Sequence, residues 1–192
     1  MPARNQAALD FLLTRRSRPA KLFSDPVPDA AALDEILTAA LRVPDHGKLE
    51  PWRLIVVERP AFARLADLAE ARAQELGGEP EKIAKGRGQY DLGRLAVVVV
   101  SSPKPVEKVP EIEQLLSAGA LCLGLVNAAT AAGWGACWLT GWTAHDPEFC
   151  AHAFGTAPQE RVAGIVHIGT PPEDAPDRPR PDLARIVSRA AP

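Results

Sequence analysis

Apolar residues return at helical spacing from the start of the chain. Leu9, Leu12 and Leu13 put one apolar face on a helix predicted over Asn5–Thr14. It runs into Arg15-Arg16-Ser17-Arg18-Pro19, where Pro19 forbids continuation. Pro26 and Pro28 mark a linker, and Asp29 is placed to cap a second helix, Ala30–Arg42, with Leu33, Ile36, Leu37 and Ala40 facing inward. A polar loop, Val43–Pro51, leads into Trp52–Glu58, a run rich in β-formers. Pro60 opens a third helix that reaches Leu76 and stops at Gly77-Gly78. Residues 79–94 are charged and dotted with glycine, which predicts the most mobile part of the chain, a short helix and a surface loop.

The second half is more apolar. Leu95–Ser101 is an uninterrupted apolar run of strand length, as expected of a strand covered on both faces. Glu111–Ala132 predicts a long, nearly all-apolar helix that must be covered all round, by the core or by another subunit. From Gln114 to Ala144 there is no Asp, Glu, Lys or Arg, a length that would span a bilayer. Gln114, Ser117, Asn127, Thr130 and Thr140 interrupt it, and Gly133, Gly135 and Gly141 break its second half, so a buried helix followed by a buried strand is expected instead. Gly135–Thr140 and Arg161–Gly169 predict strands, and Pro147–Phe154 a short helix capped by Asp146. The tail from Thr170 is rich in proline and charge, with a last turn near Leu183–Val187. Helices and strands mix without strict β-α-β alternation. The expectation is a single α+β domain over residues 1–192, with four or five strands flanked by helices.

Composition narrows the function. The net charge of −2 argues against a general grip on nucleic acid or an acidic membrane. Cys122, Cys137 and Cys150 are odd in number and form no C-x-x-C pair, which fits a reducing compartment without disulfides. The Met-Pro-Ala-Arg-Asn-Gln start has no apolar run behind it, so no signal peptide and a cytoplasmic location are expected. His46, His145, His152 and His167 form no H-x-x-x-H pair, and no metal site is expected. Neither G-x-G-x-x-G, a P-loop nor G-x-S-x-G is present.

Three segments carry candidate chemistry. Arg15-Arg16-Ser17 sets two guanidinium forks and a hydroxyl on one turn, a set that suits a phosphate, although two arginines also close many helices as a solvated end. Arg42-Val-Pro-Asp-His-Gly-Lys-Leu-Glu-Pro-Trp52 is a proline-stiffened loop in which Asp45 either orients His46 or caps a turn. In Gly133-Trp-Gly-Ala-Cys-Trp-Leu-Thr-Gly141 the glycines admit a flat ligand close to the backbone, and Trp134, Trp138 and Trp142 share a face if the run stays extended.

In this order, and together with Ser117-Ala118-Gly119 and Ile168-Gly169-Thr170-Pro171, these segments resemble the nitroreductase superfamily over nearly the whole chain, most closely its short YdjA-like branch. The resemblance implies an α+β flavoprotein with a central mixed sheet, an obligate homodimer, and FMN at the subunit interface. It assigns Arg15, Arg16 and Ser17 to the FMN phosphate and ribityl chain, and Arg42 and His46 to positions near the flavin, one of them from the partner subunit. Leu139, Thr140 and Gly141 would line the flavin through backbone groups. Ala129, Thr130, Ala131, Ala132, Gly133 and Trp134 correspond to a region associated with NADH or NADPH. Leu139 departs from the basic residue frequent at its position, and Arg178 and Arg180 are candidates for the basic tail residue of the family. The implied activity is ping-pong hydride transfer from NAD(P)H through FMN to a small electron-poor acceptor such as a nitroaromatic or quinone, with no catalytic side chain and with residues 79–94 as a lid. Two alternatives stay open: a flavin-storing or flavin-modifying relative, and a dimeric interaction module without cofactor.

Overall fold

The computed structural model describes residues 2–172 and 177–190. Its helices are α1 (Gln6–Thr14), α2 (Ala30–Ala40), α3 (Arg59–Glu75), α4 (Pro80–Asp91), α5 (Glu111–Ala131), α6 (Pro147–Phe154) and α7 (Leu183–Ile186). Its strands are β1 (Trp52–Val57), β2 (Leu95–Ser101), β3 (Gly135–Leu139) and β4 (Arg161–Gly169). Caps explain several helix starts. The side chains of Asn5, Asp29 and Asp146 accept hydrogen bonds from the amides of Ala8, Ala32 and Phe149.

The strands form one sheet in the order β1-β2-β4-β3. Every pairing is antiparallel, which corrects the expected mixed sheet. The reason is where β4 inserts. β2 and β3 run the same way, joined by the α5 crossover, but β4 lies between them and takes the hydrogen bonds of both. β2, as its apolar run predicts, is buried along its whole length. Ala96, Val98 and Val100 face α3 and α6 through Phe62, Leu65 and Phe149, while Leu95, Val97 and Val99 face α2 and α5 through Ile36, Leu121 and Leu125. The result is a sheet sandwiched between two helical layers.

Two segments depart from expectation. Residues 79–94 hold a twelve-residue helix, α4, in place of a short helix and loop. Arg87 fastens it to α3 through Asp67 and Glu70, and reaches Asp91 one turn on. Trp134, Trp138 and Trp142 do not share a face, because β3 ends at Leu139 and Trp142 opens a 3-10 turn.

The apolar helices are only partly covered. α5 is long and apolar enough to cross a bilayer, yet Leu121, Cys122, Leu125, Val126 and Ala129 are buried in the core layer, as in a core helix. Its other face leaves Ile112, Leu116 (66% exposed) and Leu123 in solvent. The apolar face of α1 has the same fate, with Leu12 and Leu13 more than half exposed and no residue of the helix buried.

α2 meets α5 at Gly124, where an added Cβ would lie 2.7 Å from the Ala40 carbonyl oxygen. That neighbour is backbone and moves only with the helix. Gly124→Ala is therefore expected to lower stability by about 1–3 kcal/mol, read as a lower urea midpoint; an unchanged midpoint would mean the two helices separate freely.

Candidate cofactor site

α1 ends as the phosphate reading requires. Arg15 leaves the helical conformation (φ −56°, ψ 145°) while its amide still closes the last turn on Phe11. The chain then runs along the sheet edge, and the Arg18 amide donates to the Ala136 carbonyl of β3 at 3.1 Å. Arg15, Arg16 and Ser17 line an open pocket of about 560 Å³ together with Arg178 and Arg180 of the tail. The tail is held there by Arg180, which donates to the Leu13 carbonyl. Asp177 is the carboxylate beside this cluster, 3.4 Å from Arg16 and 3.6 Å from Arg180. Among the described residues, four arginines and one exposed carboxylate gather here, a charge balance that suits a multiply charged anion. A merely solvated helix end would not gather Arg178 and Arg180 from the far end of the chain.

A second cavity, about 340 Å³, begins two residues further on at Pro19. Its walls are the turn Pro19–Lys21, Lys85, Gly88 and Gln89 of α4 with Leu92 just past it, Cys137 and Leu139 of β3 with Thr140 and Gly141 just past it, and His167 of β4. Gly141 lies close to α4: a Cβ there would stand 2.5 Å from the Gln89 Oε1, which the flexible glutamine could give way to. Its lining is mostly apolar, and two of the lining residues have a nitrogen without a partner. The Gln89 Nε2 and the His167 Nε2 are buried without a hydrogen-bond partner among the described residues. Each such group costs on the order of 1–3 kcal/mol. His167 is only 2% exposed and packs near the Phe62 ring, 6.1 Å between centroids. Burial pushes its pKa down to about 4, so the imidazole is neutral.

Arg15, Arg16 and Ser17 line one pocket and Pro19–Lys21 the next along the same segment, and the chain matches the Nitroreductase family over residues 12–170. The chain belongs to the nitroreductase family. It is 38% identical to a Haemophilus influenzae protein named "Putative NAD(P)H nitroreductase" over 88% of this chain and 90% of that one. It is 34% identical to the Escherichia coli protein "Putative NAD(P)H nitroreductase YdjA", over 85% of this chain and 88% of that one. A nitroreductase-like family protein from Bacillus cereus shares the fold at 22% identity with a TM-score of 0.77, over 99% of this chain and 98% of the other. A nitroreductase with bound FMN from Bacteroides fragilis does so at 22% identity and 0.71, over 98% and 100%.

Other expected site residues of this nitroreductase family member lie apart from both cavities. Arg42, just past α2, is exposed, and so is His46, whose Nδ1 lies 2.7 Å from the Glu113 Oε2. Asp45 does not touch His46. Its carboxylate accepts the amides of Leu49 (3.1 Å) and Glu50 (2.8 Å), which settles its role as a turn cap. The loop is tied to α5 by Ser117, which accepts from the Trp52 indole and donates to the Pro44 carbonyl. Ala129 is buried, Thr130 bonds back to Val126, Ala131–Gly133 form an exposed turn with Gly133 at φ 88°, and Trp134 is half-buried. Cys122 and Cys150 are buried thiols whose pKa values burial raises to about 12 and 11, which makes them poor nucleophiles at neutral pH.

Gln89 and His167 were not singled out from sequence. The available signal was slight: one polar residue inside Ile165-Val166-His167-Ile168, and one glutamine on a charged helix.

The neutral imidazole has a consequence for stability. Below its ordinary pKa near 6.5 the unfolded chain takes up a proton that folded His167 refuses until about 4. Cofactor-free protein is therefore expected to lose about 2 kcal/mol from this group between about pH 7 and pH 5. Urea midpoints at the two pH values check this, and His167→Leu should lack that component.

Proposed function

We propose that this chain is a cytoplasmic, homodimeric, FMN-dependent oxidoreductase that takes hydride from NADH or NADPH and reduces small electron-poor acceptors, nitroaromatics or quinones, in a ping-pong cycle. The carrying observation is the arginine cluster joined to a mostly apolar cavity by Ser17-Arg18-Pro19. The residues fit FMN. The cradle has charge for a phosphate dianion, and the cavity has apolar walls for a ring and two unpartnered nitrogens for its polar edge. When bound, FMN supplies the capacity to accept a hydride from one molecule and deliver it to another.

The side chains hold and orient. Arg15, Arg16 and Ser17, with Arg178 and Arg180 from the tail, seat the phosphate. Leu139, Thr140 and Gly141 at the end of β3 line the ring, where the missing side chain of Gly141 lets backbone and Gln89 close in. Leu139, apolar and half-buried, acts by its backbone and its bulk. The turn Ala129–Trp134 is assigned to the nicotinamide nucleotide. No side-chain acid is needed at the hydride step; water or His46 supplies the proton for the reduced acceptor.

A second copy completes the site. Ile112, Leu116 and Leu123 form one exposed stripe on α5, and α1 adds Leu12 and Leu13. Such a surface calls for a partner. Arg42 and His46, which reach neither cavity of their own chain, are assigned to the flavin of the partner.

Purified protein should be yellow, and NADH or NADPH should bleach it quickly with the colour returning on addition of a quinone. A colourless protein that cannot be loaded with FMN would refute the proposal. Arg15→Ala should weaken FMN binding by roughly 10- to 100-fold in a fluorescence titration, as loss of a charge-assisted contact predicts. Leu116→Glu should convert the dimer to monomers by sedimentation and release FMN; a variant that stays dimeric would remove α5 from the interface.

A further inference from the structure

Among the described residues, Arg18 Nη1, Gln89 Nε2, Asn127 Oδ1, Trp142 Nε1 and His167 Nε2 are buried without a partner, and His167 is the one of these residues that is itself fully buried. Gln114 bonds the backbone at Lys104 and Val109, Ser117 bonds Pro44 and Trp52, and Thr143 accepts from Tyr90. His167, buried as deeply, leaves its Nε2 without a partner among the described residues. Its neighbours along β4 are Ile165, Val166 and Ile168, and an aliphatic residue at 167 would continue that packing with no polar atom to satisfy. A buried group kept unsatisfied in the protein alone points to a partner that arrives from outside.

The place of the residue says what that partner is. His167 sits opposite Cys137 in the β3–β4 register, on the sheet face that carries Phe62, and is among the residues that line the second cavity. The second unpartnered nitrogen there, the Gln89 Nε2, comes from α4 on another wall. Leu92, Leu139 and Pro19 make much of the remaining lining apolar. The matching ligand is flat, apolar over most of its area, and able to donate and accept along one edge. In a flavin, that edge is the pyrimidine side of the ring, where carbonyls and an N–H alternate; the dimethylbenzene side has none. We propose that His167 and Gln89 hydrogen-bond the pyrimidine edge of the flavin from two walls of this cavity, a proposal that rests on the FMN reading above. Both groups adapt to it. A glutamine amide offers a donor and an acceptor, and a neutral imidazole offers either through its tautomer. Burial keeps the imidazole neutral, which fits a hydrogen-bonding role over a charge-pairing one.

The test is a titration of cofactor-free protein with FMN, followed by flavin fluorescence, for the wild type, His167→Leu, His167→Gln and Gln89→Leu. His167→Leu and Gln89→Leu should each weaken binding about tenfold, the worth of one hydrogen bond, and His167→Gln should recover most of that loss. Without FMN, His167→Leu should melt higher than the wild type because the orphaned nitrogen is gone. A purely structural histidine would move both quantities the same way. FMN affinity within about twofold of wild type for His167→Leu, or a cofactor-free variant that melts lower, overturns the proposal. If wild type takes up no FMN, the FMN reading falls together with this one; if wild type binds and the variants match it, this one falls alone. His167→Gln and Gln89→Leu keep the test decisive should His167→Leu fail to fold.

Discussion

The Arg18 amide donates to the Ala136 carbonyl, and much of the site hangs on that bond. α1 has no buried residue, so the core does not hold it within one chain. The extended segment after it is what the sheet holds. It fixes Arg15, Arg16 and Ser17 on one side of the bond and Pro19–Lys21 on the other. The anion cradle and the ring cavity therefore stand at a set separation, the requirement for reading a molecule with a phosphate at one end and a ring at the other. β3 can serve as the anchor because β4 separates it from β2 and leaves it at the sheet edge, next to the segment that needs it.

Among the described residues the chain on its own carries unmet demands: four guanidiniums around one carboxylate, two orphaned nitrogens on residues that line an apolar cavity, and leucines in water along α1 and α5. Each is unfavourable in isolation, and each is answered by one component of the proposed assembly. The phosphate meets the arginines, the ring edge meets Gln89 and His167, and a second copy covers the leucines. Cofactor binding and dimerisation would then stabilise the fold by mass action, because both act on the folded chain alone.

Much of this was legible in the sequence. The helical spacing of Leu33, Ile36 and Ala40 and the apolar run Leu95–Ser101 announced α2 and β2 because burial leaves a direct imprint on residue type. Arg15-Arg16-Ser17 and its companion segments carried the resemblance to the family, which the match over residues 12–170 bears out. Other features left no imprint. Periodicity shows that Leu9, Leu12 and Leu13 share a face, but not what covers it, so α1 reads as a core helix and lies on the surface. Strand order depends on where β4 inserts, a long-range choice that local pattern does not encode. The tail has no periodicity, and only the folded chain shows Arg178 and Arg180 beside Arg15. His167 is silent for a different reason: a histidine that fills a core and one that meets a ligand look alike in a string of letters.

In the proposed enzyme one segment couples a phosphate seat to a ring cavity. The most direct measurement compares FMN with riboflavin, which carries the same ring without the phosphate, by isothermal titration of the cofactor-free protein. FMN should bind at least about a hundredfold more tightly than riboflavin, and the advantage should shrink as salt is raised. Equal affinity for the two, or a preference indifferent to salt, would contradict it.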